Sequence, residues 1–563
     1  MILSDKKAIQ RIVLALAKLG LRNVVICPGS RNAPLVISFN RHPDFHCVSI
    51  RDERSAGFYA LGKAIETRQP VAIVCTSGSA TLNFAPAIVE AYYQRIPLLI
   101  LTADRPKEWT DQGDGQTINQ TNIYHNYIRR SYDLRGDATD ESDIWFNDRS
   151  ISEGYHIASV KDRGPVHFNI PMHEPLYGTG EVKNTEVKVF SCADVTAQLS
   201  QIELTQLATQ YAQARKVMIL VGQHPKEEGF QQVLSNLAHC SNTIVLTEST
   251  ANVAHPSFIA HIDRCITHLD VDKAVDLMPD LLITVGDAIV SKRIKSMLRK
   301  HRPAAHWNVH PYDATMDTYQ SLTTAIHIAA VPFLHALSQQ LNEIVSSGFR
   351  QKWLQLKEKK DRLHEVFSDS CVFSDFKVFD ILFKSLPKDV SLHISNSSPI
   401  RYAQLFDYTG IKETHSNRGT SGIEGCTSTA IGAAAAAPEK QFLLITGDVA
   451  FHYDSNALWN EEPIDNLNIV IINNSGGGIF GIIPGPDTTQ ERARFLETSM
   501  KLSAEHLAHQ YKWNYMSASD TTSLHEILPS FFRHNRTILE VFTDADTNPQ
   551  VLAAYWDYLQ QKH

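Results

Sequence analysis

Two segments in the last third of the chain each combine an apolar run, typical of a buried strand, with polar residues that follow it. The first is LLITGDVAFHYD (443–454), in which Asp448 follows the run, and the second is IVIINNSGGGIFGIIPG (469–485), which contains Asn474. These two residues are 26 positions apart (474 − 448), a length that suits a helix crossing back to a parallel neighbouring strand. We therefore expect Asp448 and Asn474 to meet at adjacent strand ends.

Oxygen ligands of this kind suit Mg²⁺. A carboxylate, an amide oxygen and a freed backbone carbonyl from the glycine run are hard ligands, and Mg²⁺ combines few such protein ligands with phosphate oxygens and water. The glycines allow the backbone to approach a ligand closely. The pattern predicts a metal ion that in turn binds a diphosphate.

The glycine run also fits the spacing G-x-G-x-x-G of a dinucleotide-binding turn, at positions 476, 478 and 481. Such a turn must open a helix whose N-terminus holds the pyrophosphate. Here the residues after Gly481 are IIPGPD, and their prolines prevent a helix from growing. No G-x-x-x-x-G-K-[ST] motif is present either. The dinucleotide interpretation is therefore rejected.

The composition is that of a globular protein of several domains. The chain has 563 residues, 43% of them hydrophobic, which is too many for one core. Its net charge of −8 argues against broad nucleic-acid binding. The first 20 residues indicate an amphipathic helix rather than a signal peptide, and no apolar run approaches the length of a membrane span. Eight scattered cysteines without a C-x-x-C pair predict free thiols in a reducing cytoplasm.

Short apolar strands alternate with helical stretches along the whole chain, which predicts an α/β fold with three doubly wound parallel-sheet domains in series. Turn-rich sequence near 180 and a long polar helical stretch, FRQKWLQLKEKKDRLHEVF, separate them. The predicted domains are 1–180, 190–345 and 370–563. Ligands of such sheets bind at the carboxyl ends of the strands, so the polar residues after each strand are the candidate site.

The segments that contain Asp448 and Asn474 resemble the diphosphate-binding motif of thiamine diphosphate enzymes, which is G-D-x, a spacer of similar length and N-N. Val449 stands where that family often has Gly, a minor departure. The resemblance implies a thiamine diphosphate-binding fold with a central Rossmann-like domain. It also implies that Asp448, Asn474 and the carbonyl of Gly476 hold Mg²⁺ (or Mn²⁺).

A second family motif lies in the first domain. FHCVSIRDERSAGFYALGKA (45–64) contains the pattern E-R-x-A-x-x-x-A-x-G-x-A, and the segment from 74 to 106 continues it. The resemblance implies that Glu53 is the catalytic carboxyl that faces the aminopyrimidine ring of thiamine diphosphate and activates the cofactor. The first domain is then the pyrimidine-binding domain and the third the diphosphate-binding domain.

The family builds each site from those two domains on different subunits, which implies a homodimer at least, and a homotetramer remains open. Ile423, in SNRGTSGIEGCTSTAIGAAAAA (416–437), resembles the aliphatic wedge that bends the cofactor. The alanine run that follows it predicts a tightly packed helix. The implied cofactor contacts are Glu53, Thr76, Ser77, Gly78, Asn83, Ile423, Gly447, Asp448, Val449, Ala450, Asn474, Gly476, Gly477, Ile479 and Phe480.

Basic residues follow several predicted strands, although the chain as a whole is acidic. They are Arg31 in CPGSRNAP, Arg105 in LTADRP, Lys292 and Arg293 after ITVGDAIVS, Arg401 after ISNSSPI, and Arg418 in SNRG. Arginine is suited to bidentate recognition of carboxylates. These cations predict substrates that carry several carboxylates between them, unlike pyruvate alone.

The same segments resemble the branch of the family that serves menaquinone biosynthesis. This resemblance implies decarboxylation of 2-oxoglutarate and addition of the remaining succinyl-semialdehyde unit to isochorismate. The cations would pair with substrate carboxylates, assisted by Ser30, Gln116 and Ser397, while Ile479 and Phe480 would form an apolar wall near the reacting carbon. Gly115 stands where many members have Asn, which affects one polar substrate contact but not the reaction class.

Two alternatives remain open. One is another thiamine diphosphate-dependent 2-oxo acid decarboxylase or an acetolactate-type synthase. The other is an α/β binding protein without activity, against which the intact Glu53, Asp448 and Asn474 argue. The sequence does not indicate nucleic-acid binding or membrane insertion.

Overall fold

The first parallel sheet lies in the amino-terminal part of the chain. The structure, a computed structural model, describes residues 1–161, 163–182, 186–193, 195–269, 274–341, 343–460, 462 and 464–560. Among these residues the first sheet has six parallel strands in the order β3-β2-β4-β5-β7-β6, and β1 pairs with β8 in a small antiparallel sheet. The strands are β1 Ile2–Ser4, β2 Asn23–Ile26, β3 His46–Ser49, β4 Val71–Cys75, β5 Leu98–Asp104, β6 Arg130–Asp133, β7 Val166–Pro171 and β8 Thr179–Glu181. The helices are α1 Lys7–Leu19, α2 Ala33–Arg41, α3 Glu53–Thr67, α4 Ser79–Asn83, α5 Ala85–Gln94 and α6 Glu141–His156.

Helices cover both faces of this sheet, which explains why its strands are apolar throughout. Successive side chains of a strand point to opposite faces. Val24 and Ile26 of β2 pack in the same buried cluster as residues of α1 and α2. Val25, between them, packs with residues of α3 and α5.

The second sheet lies in the middle of the chain. In the part of the chain that the structure describes, it has five parallel strands in the order β10-β9-β11-β12-β13. The strands are β9 Val217–Val221, β10 Thr243–Thr247, β11 Leu281–Val285, β12 Ala305–Val309 and β13 Thr324–Ile326. The helices are α7 Gln201–Gln213, α8 Phe230–Ala238, α9 Ile262–Ile266, α10 Lys292–Lys300 and α11 Ala330–Gln340.

The long polar stretch between the second and third sheets is helix α12, Phe349–Ser370. Over the described residues, the third sheet then has six parallel strands in the order β15-β14-β16-β17-β19-β18. The strands are β14 Ser391–Ile394, β15 Glu413–His415, β16 Phe442–Gly447, β17 Leu467–Asn473, β18 Asn514–Ala518 and β19 Thr537–Phe542. The helices are α13 Asp375–Ser385, α14 Ser398–Ala403, α15 Cys426–Ala436, α16 Asp448–Tyr453, α17 Ile479–Ile482, α18 Glu505–Gln510, α19 Thr521–Phe531 and α20 Thr547–Tyr558. The predicted α/β class with parallel sheets in series is therefore confirmed.

Helices α3 and α15 join the first sheet unit to the third. A Cβ atom at Gly62 would lie 1.9 Å from the carbonyl oxygen of Thr429, and one at Gly432 would lie 2.0 Å from that of Tyr59. Side chains at these two positions are excluded because the backbones touch. The alanine-rich segment thus packs closely, as predicted, and its partner includes a helix of the first sheet unit as well as its own sheet.

All eight cysteines are free thiols, of which Cys27, Cys75, Cys265 and Cys426 are buried. Within the described ranges, no helix combines the length and the apolar character needed to cross a bilayer.

Candidate active site

Strands β16 and β17 bring Asp448 and Asn474 together. The two strands are parallel neighbours, and Gly447 at the end of β16 is in register with Ile472 of β17. Asp448 is the next residue after Gly447 and begins α16, whereas Asn473 ends β17 and Asn474 follows it. Both polar side chains are buried at this edge of the sheet.

Asp448 is a buried carboxyl without an ion-pair partner among the described residues. Its Oδ1 accepts a hydrogen bond from the backbone N–H of Val449 at 2.8 Å. Burial raises its pKa to about 7, and the negative charge of Asp375 adds to that shift. A divalent cation beside it would favour the ionised carboxylate.

Asn474 presents an oxygen that no other group in the described residues uses. Its Nδ2 donates to Oδ2 of Asp375 at 2.9 Å, and Oδ1 of Asp375 accepts from the Thr543 hydroxyl at 2.6 Å. This bond fixes which way the amide points. The Asn474 Oδ1 atom is buried without a hydrogen-bond partner among the described residues, which fits a metal ligand.

In the glycine run, the backbone packs directly against neighbouring backbone atoms. A Cβ atom at Gly476 would lie 2.7 Å from the carbonyl oxygen of Glu497, and the Gly477 N–H donates to that oxygen at 2.7 Å. The Gly476 carbonyl accepts one hydrogen bond from the Gly478 N–H at 2.9 Å, and a carbonyl oxygen has a second lone pair. Together with Asp448 and Asn474, this donor set fits Mg²⁺.

Ile479 and Phe480 begin the short helix α17 directly after the glycines. The Phe480 ring lies against Gly477, where a Cβ atom would be 3.1 Å from its Cδ2 atom. The helix ends at Ile482, before Pro484. One turn of this length does not provide the long helix of a dinucleotide site.

Glu53 is the first residue of α3. Asp52 caps that helix, because its Oδ1 accepts from the N–H of Arg54 at 2.9 Å and of Ser55 at 3.4 Å. The cap places Glu53 at a fixed position in the first turn, where its Oε2 accepts from Nδ2 of Asn83 at 3.1 Å. Two of the predicted cofactor residues are thus in direct contact.

Thr76, Ser77 and Gly78 follow the end of β4. The hydroxyls of Thr76 and Ser77 are buried and have no hydrogen-bond partner among the described residues. Gly78 has φ +85°, and its N–H donates to Oε1 of Gln120 at 2.9 Å. A Cβ atom at Gly78 would lie 3.1 Å from the carbonyl oxygen of Gln116, so the turn lies against the Gln116 backbone.

Within one chain, the Glu53 segment contacts the third sheet unit at the end of α16 that lies away from Asp448. Nη2 of Arg54 donates to the carbonyl oxygen of Tyr453 at 2.7 Å. Nδ2 of Asn456 donates to Oδ2 of Asp52 at 2.7 Å. Asp448 and Tyr453 are the first and last residues of α16.

Arg31 and Arg105 line one cavity of about 320 Å³ together with Glu174. Nη2 of Arg31 donates to Oε1 of Glu174 at 3.1 Å, and Nη2 of Arg105 donates to the carbonyl oxygen of Gly115 at 3.0 Å. Burial and the charge of Arg105 both lower the pKa of Arg31. A substrate carboxylate in this cavity would be stabilised by both guanidinium groups.

A second group of cations lies between the second and third sheet units. Nη1 of Arg418 donates to Oδ1 of Asn396 at 2.9 Å. Burial lowers the pKa of both Arg401 and Arg418, and the charge of Glu248 opposes that shift in each. The guanidinium of Arg293 lies 4.5 Å from the ring centroid of Trp556. The six predicted cations therefore divide into two groups.

The remaining predicted residues are distributed over strand ends, loops and the ends of short helices. Ser397 has φ +76° and immediately precedes α14. Ala450 is buried, Ile423, Gly447, Val449 and Ser397 are half-buried, and Ser30, Asn83, Gln116 and Lys292 are exposed.

Sequence reasoning missed four polar side chains that hold this site together: Asp375 behind Asn474, Gln120 behind Gly78, Glu174 between the two arginines, and Glu248 beside Arg401 and Arg418. Glu248 follows the apolar run NTIVLT, so the rule of polar residues after strands could have found it. Asp375 lies at the start of a helix distant in sequence, and no local pattern marks it.

Family models match all three parts of the chain. Residues 6–123 match the N-terminal TPP binding domain of thiamine pyrophosphate enzymes, 189–394 match their middle domain and 397–541 match their C-terminal TPP binding domain. With the parallel sheets, these matches define the class as a thiamine pyrophosphate enzyme, and the predicted cofactor family is confirmed.

Relatives of nearly the same length indicate which group of thiamine pyrophosphate enzymes the chain belongs to. Two relatives, from Flavobacterium psychrophilum and Flavobacterium johnsoniae, are called 2-succinyl-5-enolpyruvyl-6-hydroxy-3-cyclohexene-1-carboxylate synthase, and each is 42% identical to this chain. The alignment covers 96% of both proteins for the first relative and 98% of both proteins for the second. The protein of that name from Porphyromonas gingivalis is 37% identical over 99% of this chain and 98% of its own. The chain belongs to this family of synthases.

Proposed function

We propose that the protein decarboxylates 2-oxoglutarate with thiamine diphosphate and adds the remaining four-carbon unit to isochorismate. The products are 2-succinyl-5-enolpyruvyl-6-hydroxy-3-cyclohexene-1-carboxylate and CO₂, a step of menaquinone biosynthesis. The names of the relatives support this transferase reaction, and the two groups of cations support substrates with several carboxylates.

The observation that carries the proposal is the pair formed by Asp448 and Asn474. A buried carboxyl with a raised pKa lies beside an amide oxygen without a hydrogen-bond partner in the described residues, at the ends of neighbouring parallel strands. Asp448, Asn474 and the Gly476 carbonyl would hold Mg²⁺ or Mn²⁺, and through the ion the diphosphate. Gly447, Val449, Ala450 and Gly477 would line the same cradle.

When bound, thiamine diphosphate supplies a nucleophilic carbon and accepts the negative charge left by loss of CO₂. Glu53 would hold a proton against the aminopyrimidine ring, and Asn83 fixes the Glu53 carboxyl for that task. Thr76, Ser77 and Gly78 would contact the pyrimidine ring, and Ile423 would provide an apolar contact to the cofactor.

The substrate residues would divide the carboxylates between them. Arg31 and Arg105, with Ser30 and Gln116, form one subsite, and Lys292, Arg293, Arg401 and Arg418, with Ser397, form the other. Ile479 and Phe480 would exclude water from the reacting carbon, because a proton from water would end the reaction after decarboxylation.

We further propose that the working unit is a homodimer or a pair of dimers, with Glu53 completing the diphosphate cradle of the partner subunit. Apolar side chains near the Glu53 segment support this arrangement: Leu82, Tyr453 and Trp459 are about half exposed. The guanidiniums of Arg51 and Arg54 lie over the rings of Trp459 and Tyr453, respectively.

We assign 1–180 to the pyrimidine-binding domain, 190–345 to a central domain and 370–563 to the diphosphate-binding domain, in a cytoplasmic enzyme.

A direct assay tests the function. Purified protein with thiamine diphosphate and Mg²⁺ is expected to release CO₂ from 2-oxoglutarate and to form the adduct when isochorismate is present. The control omits the cofactor and chelates the metal. Preference for pyruvate as donor would replace the proposal with an acetolactate-type synthase or a simple 2-oxo acid decarboxylase.

A further inference from the structure

Glu248 holds the backbone that carries two of the candidate substrate cations. It is the residue after β10, and only 2% of its surface is exposed. Its Oε2 accepts from the N–H of Val290 at 2.6 Å, and its Oε1 accepts from the N–H of Ser291 at 2.8 Å. The carboxylate therefore bonds two consecutive amides directly before Lys292 and Arg293, where α10 begins.

A second carboxyl, the half-buried Asp263, anchors the same turn. The Ser291 hydroxyl donates to Oδ1 of Asp263 and accepts from the N–H of Ile294 at 3.1 Å, so that it also caps α10. Loss of such a cap or of a buried charged hydrogen bond weakens the local structure. The backbone that carries Lys292 and Arg293 is thus held by contacts of Glu248 and Asp263, in addition to the contact of Arg293 with Trp556.

The residue next to Glu248 reaches the third sheet unit. The N–H of Ser249 donates to Oε1 of Gln404 at 3.0 Å, and Nε2 of Gln404 donates to the Ser249 hydroxyl at 2.7 Å. Gln404 directly follows α14, the helix that contains Arg401. Glu248 and Ser249 therefore contact the turn before α10, which begins with Lys292 and Arg293, and the end of α14, which contains Arg401.

The charge of Glu248 also faces this group. Burial raises the pKa of Glu248 to about 7, while Arg418 acts in the opposite direction. Glu248 in turn favours the charged forms of Arg401, Arg418 and Lys295, each of which burial disfavours. Without this carboxylate, neighbouring guanidinium and ammonium groups would repel one another with less compensation.

We propose that Glu248 is a positioning residue that aligns Lys292 and Arg293 with Arg401 and Arg418 for a carboxylate of the substrate. Among the described residues its hydrogen bonds go to Val290 and Ser291 rather than to the cofactor cradle, so it acts through the turn that it holds. This inference rests on the proposed function, since it assumes that these cations bind the substrate.

The variant Glu248→Gln tests the proposal because it keeps the side-chain size and removes the charge. With the holoenzyme we expect KM for 2-oxoglutarate or isochorismate to rise about tenfold, the size of one lost charged hydrogen bond. We expect a much smaller change in kcat and an unchanged Kd for thiamine diphosphate. Glu228→Gln, the same chemical change at an exposed site of the central region, is the matched control.

Hydrogen exchange provides a readout that does not depend on activity. The amides of Val290 and Ser291 should exchange faster in Glu248→Gln than in the wild type and in Glu228→Gln. A folded Glu248→Gln protein with unchanged exchange at 289–294, or with faster exchange but unchanged KM, would overturn the inference.

Two further outcomes are distinguishable. If Glu248→Gln does not fold, Ser291→Ala, which removes the link to Asp263, should show the same rise in KM to a smaller extent, and an unchanged KM would again overturn the inference. If the wild type uses neither substrate, the proposed function fails. The exchange experiment then decides by itself whether Glu248 orders the loop before α10.

Discussion

The first and third sheets have the same strand order but carry different chemistry. Numbered along the chain within each sheet, the strands of both follow the order 2-1-3-4-6-5. Helices α3 and α15 each follow the second strand of their sheet, and they pack against each other. The two units are thus topological equivalents that meet through equivalent helices.

The difference lies in the residues that follow equivalent strands. After the third strand, the first sheet has Thr76 and Ser77 whereas the third has Asp448. After the fourth, the first sheet has Arg105 whereas the third has Asn474. Neutral hydroxyls in place of Asp448 and a cation in place of Asn474 leave these two positions of the first sheet without an anionic ligand for Mg²⁺. The topology determines where ligands bind, and the residues at the strand ends determine which ligand.

The largest expected effect is a loss of turnover on mutation of Glu53, in the first sheet unit. Glu53→Gln should lower kcat by about a thousandfold, a typical size for the loss of an acid–base group, and leave the Kd of thiamine diphosphate nearly unchanged. Steady-state kinetics and calorimetry measure the two quantities. Near-normal turnover would remove Glu53 from its proposed role.

Asp448→Ala should give the opposite pattern. In the presence of Mg²⁺, removal of this metal ligand is expected to weaken the binding of thiamine diphosphate about a hundredfold. Even residues that only hydrogen-bond to a metal ligand change metal affinity by roughly 10–100-fold. Calorimetric titration with and without Mg²⁺ checks this. Tight, metal-dependent binding to the variant would place the cradle elsewhere.

Arg418→Ala tests the substrate side of the third sheet unit. We expect KM of one dicarboxylate substrate to rise about tenfold, because a charged hydrogen-bonding partner is lost, while cofactor affinity stays constant. Arg362→Ala, on the exposed face of α12, is the control. Loss of cofactor binding in Arg418→Ala would mean that this arginine belongs to the cradle.

The smallest expected effect concerns the packing between the equivalent helices. Gly432→Ala would force a Cβ atom against the Tyr59 carbonyl and should lower the free energy of unfolding by about 1–3 kcal/mol. Gly348→Ala, where an added Cβ atom would meet nothing within 4 Å, is the matched control. Equal thermal stability of the two variants would contradict the close contact between α3 and α15.

Strands with long apolar runs could be predicted from the sequence, and short polar ones could not. The runs IVIINN and VAIVC correspond to buried strands β17 and β4. The edge strands β6 (RSYD), β15 (ETH) and β18 (NYMSA) were missed, because an edge strand lacks neighbours on one side and need not be apolar.

In the candidate site, too, some features could be predicted from the sequence and others could not. Asp448 and Asn474 could be predicted as a pair because their spacing reflects one strand-to-strand crossover. The contact of Asn474 with Asp375 joins residues 99 positions apart, and that of Ser249 with Gln404 joins residues 155 apart. Such contacts depend on how whole elements pack, which no local pattern specifies.

The most direct test of the proposed reaction follows labelled carbon from the donor to the product. The protein is incubated with thiamine diphosphate, Mg²⁺, uniformly ¹³C-labelled 2-oxoglutarate and isochorismate, and the products are identified by mass spectrometry. If the proposed reaction takes place, one labelled carbon is released as CO₂ and the remaining labelled carbons appear in the adduct with isochorismate. Labelled CO₂ without a labelled adduct, or no reaction of 2-oxoglutarate while pyruvate is consumed, would contradict it.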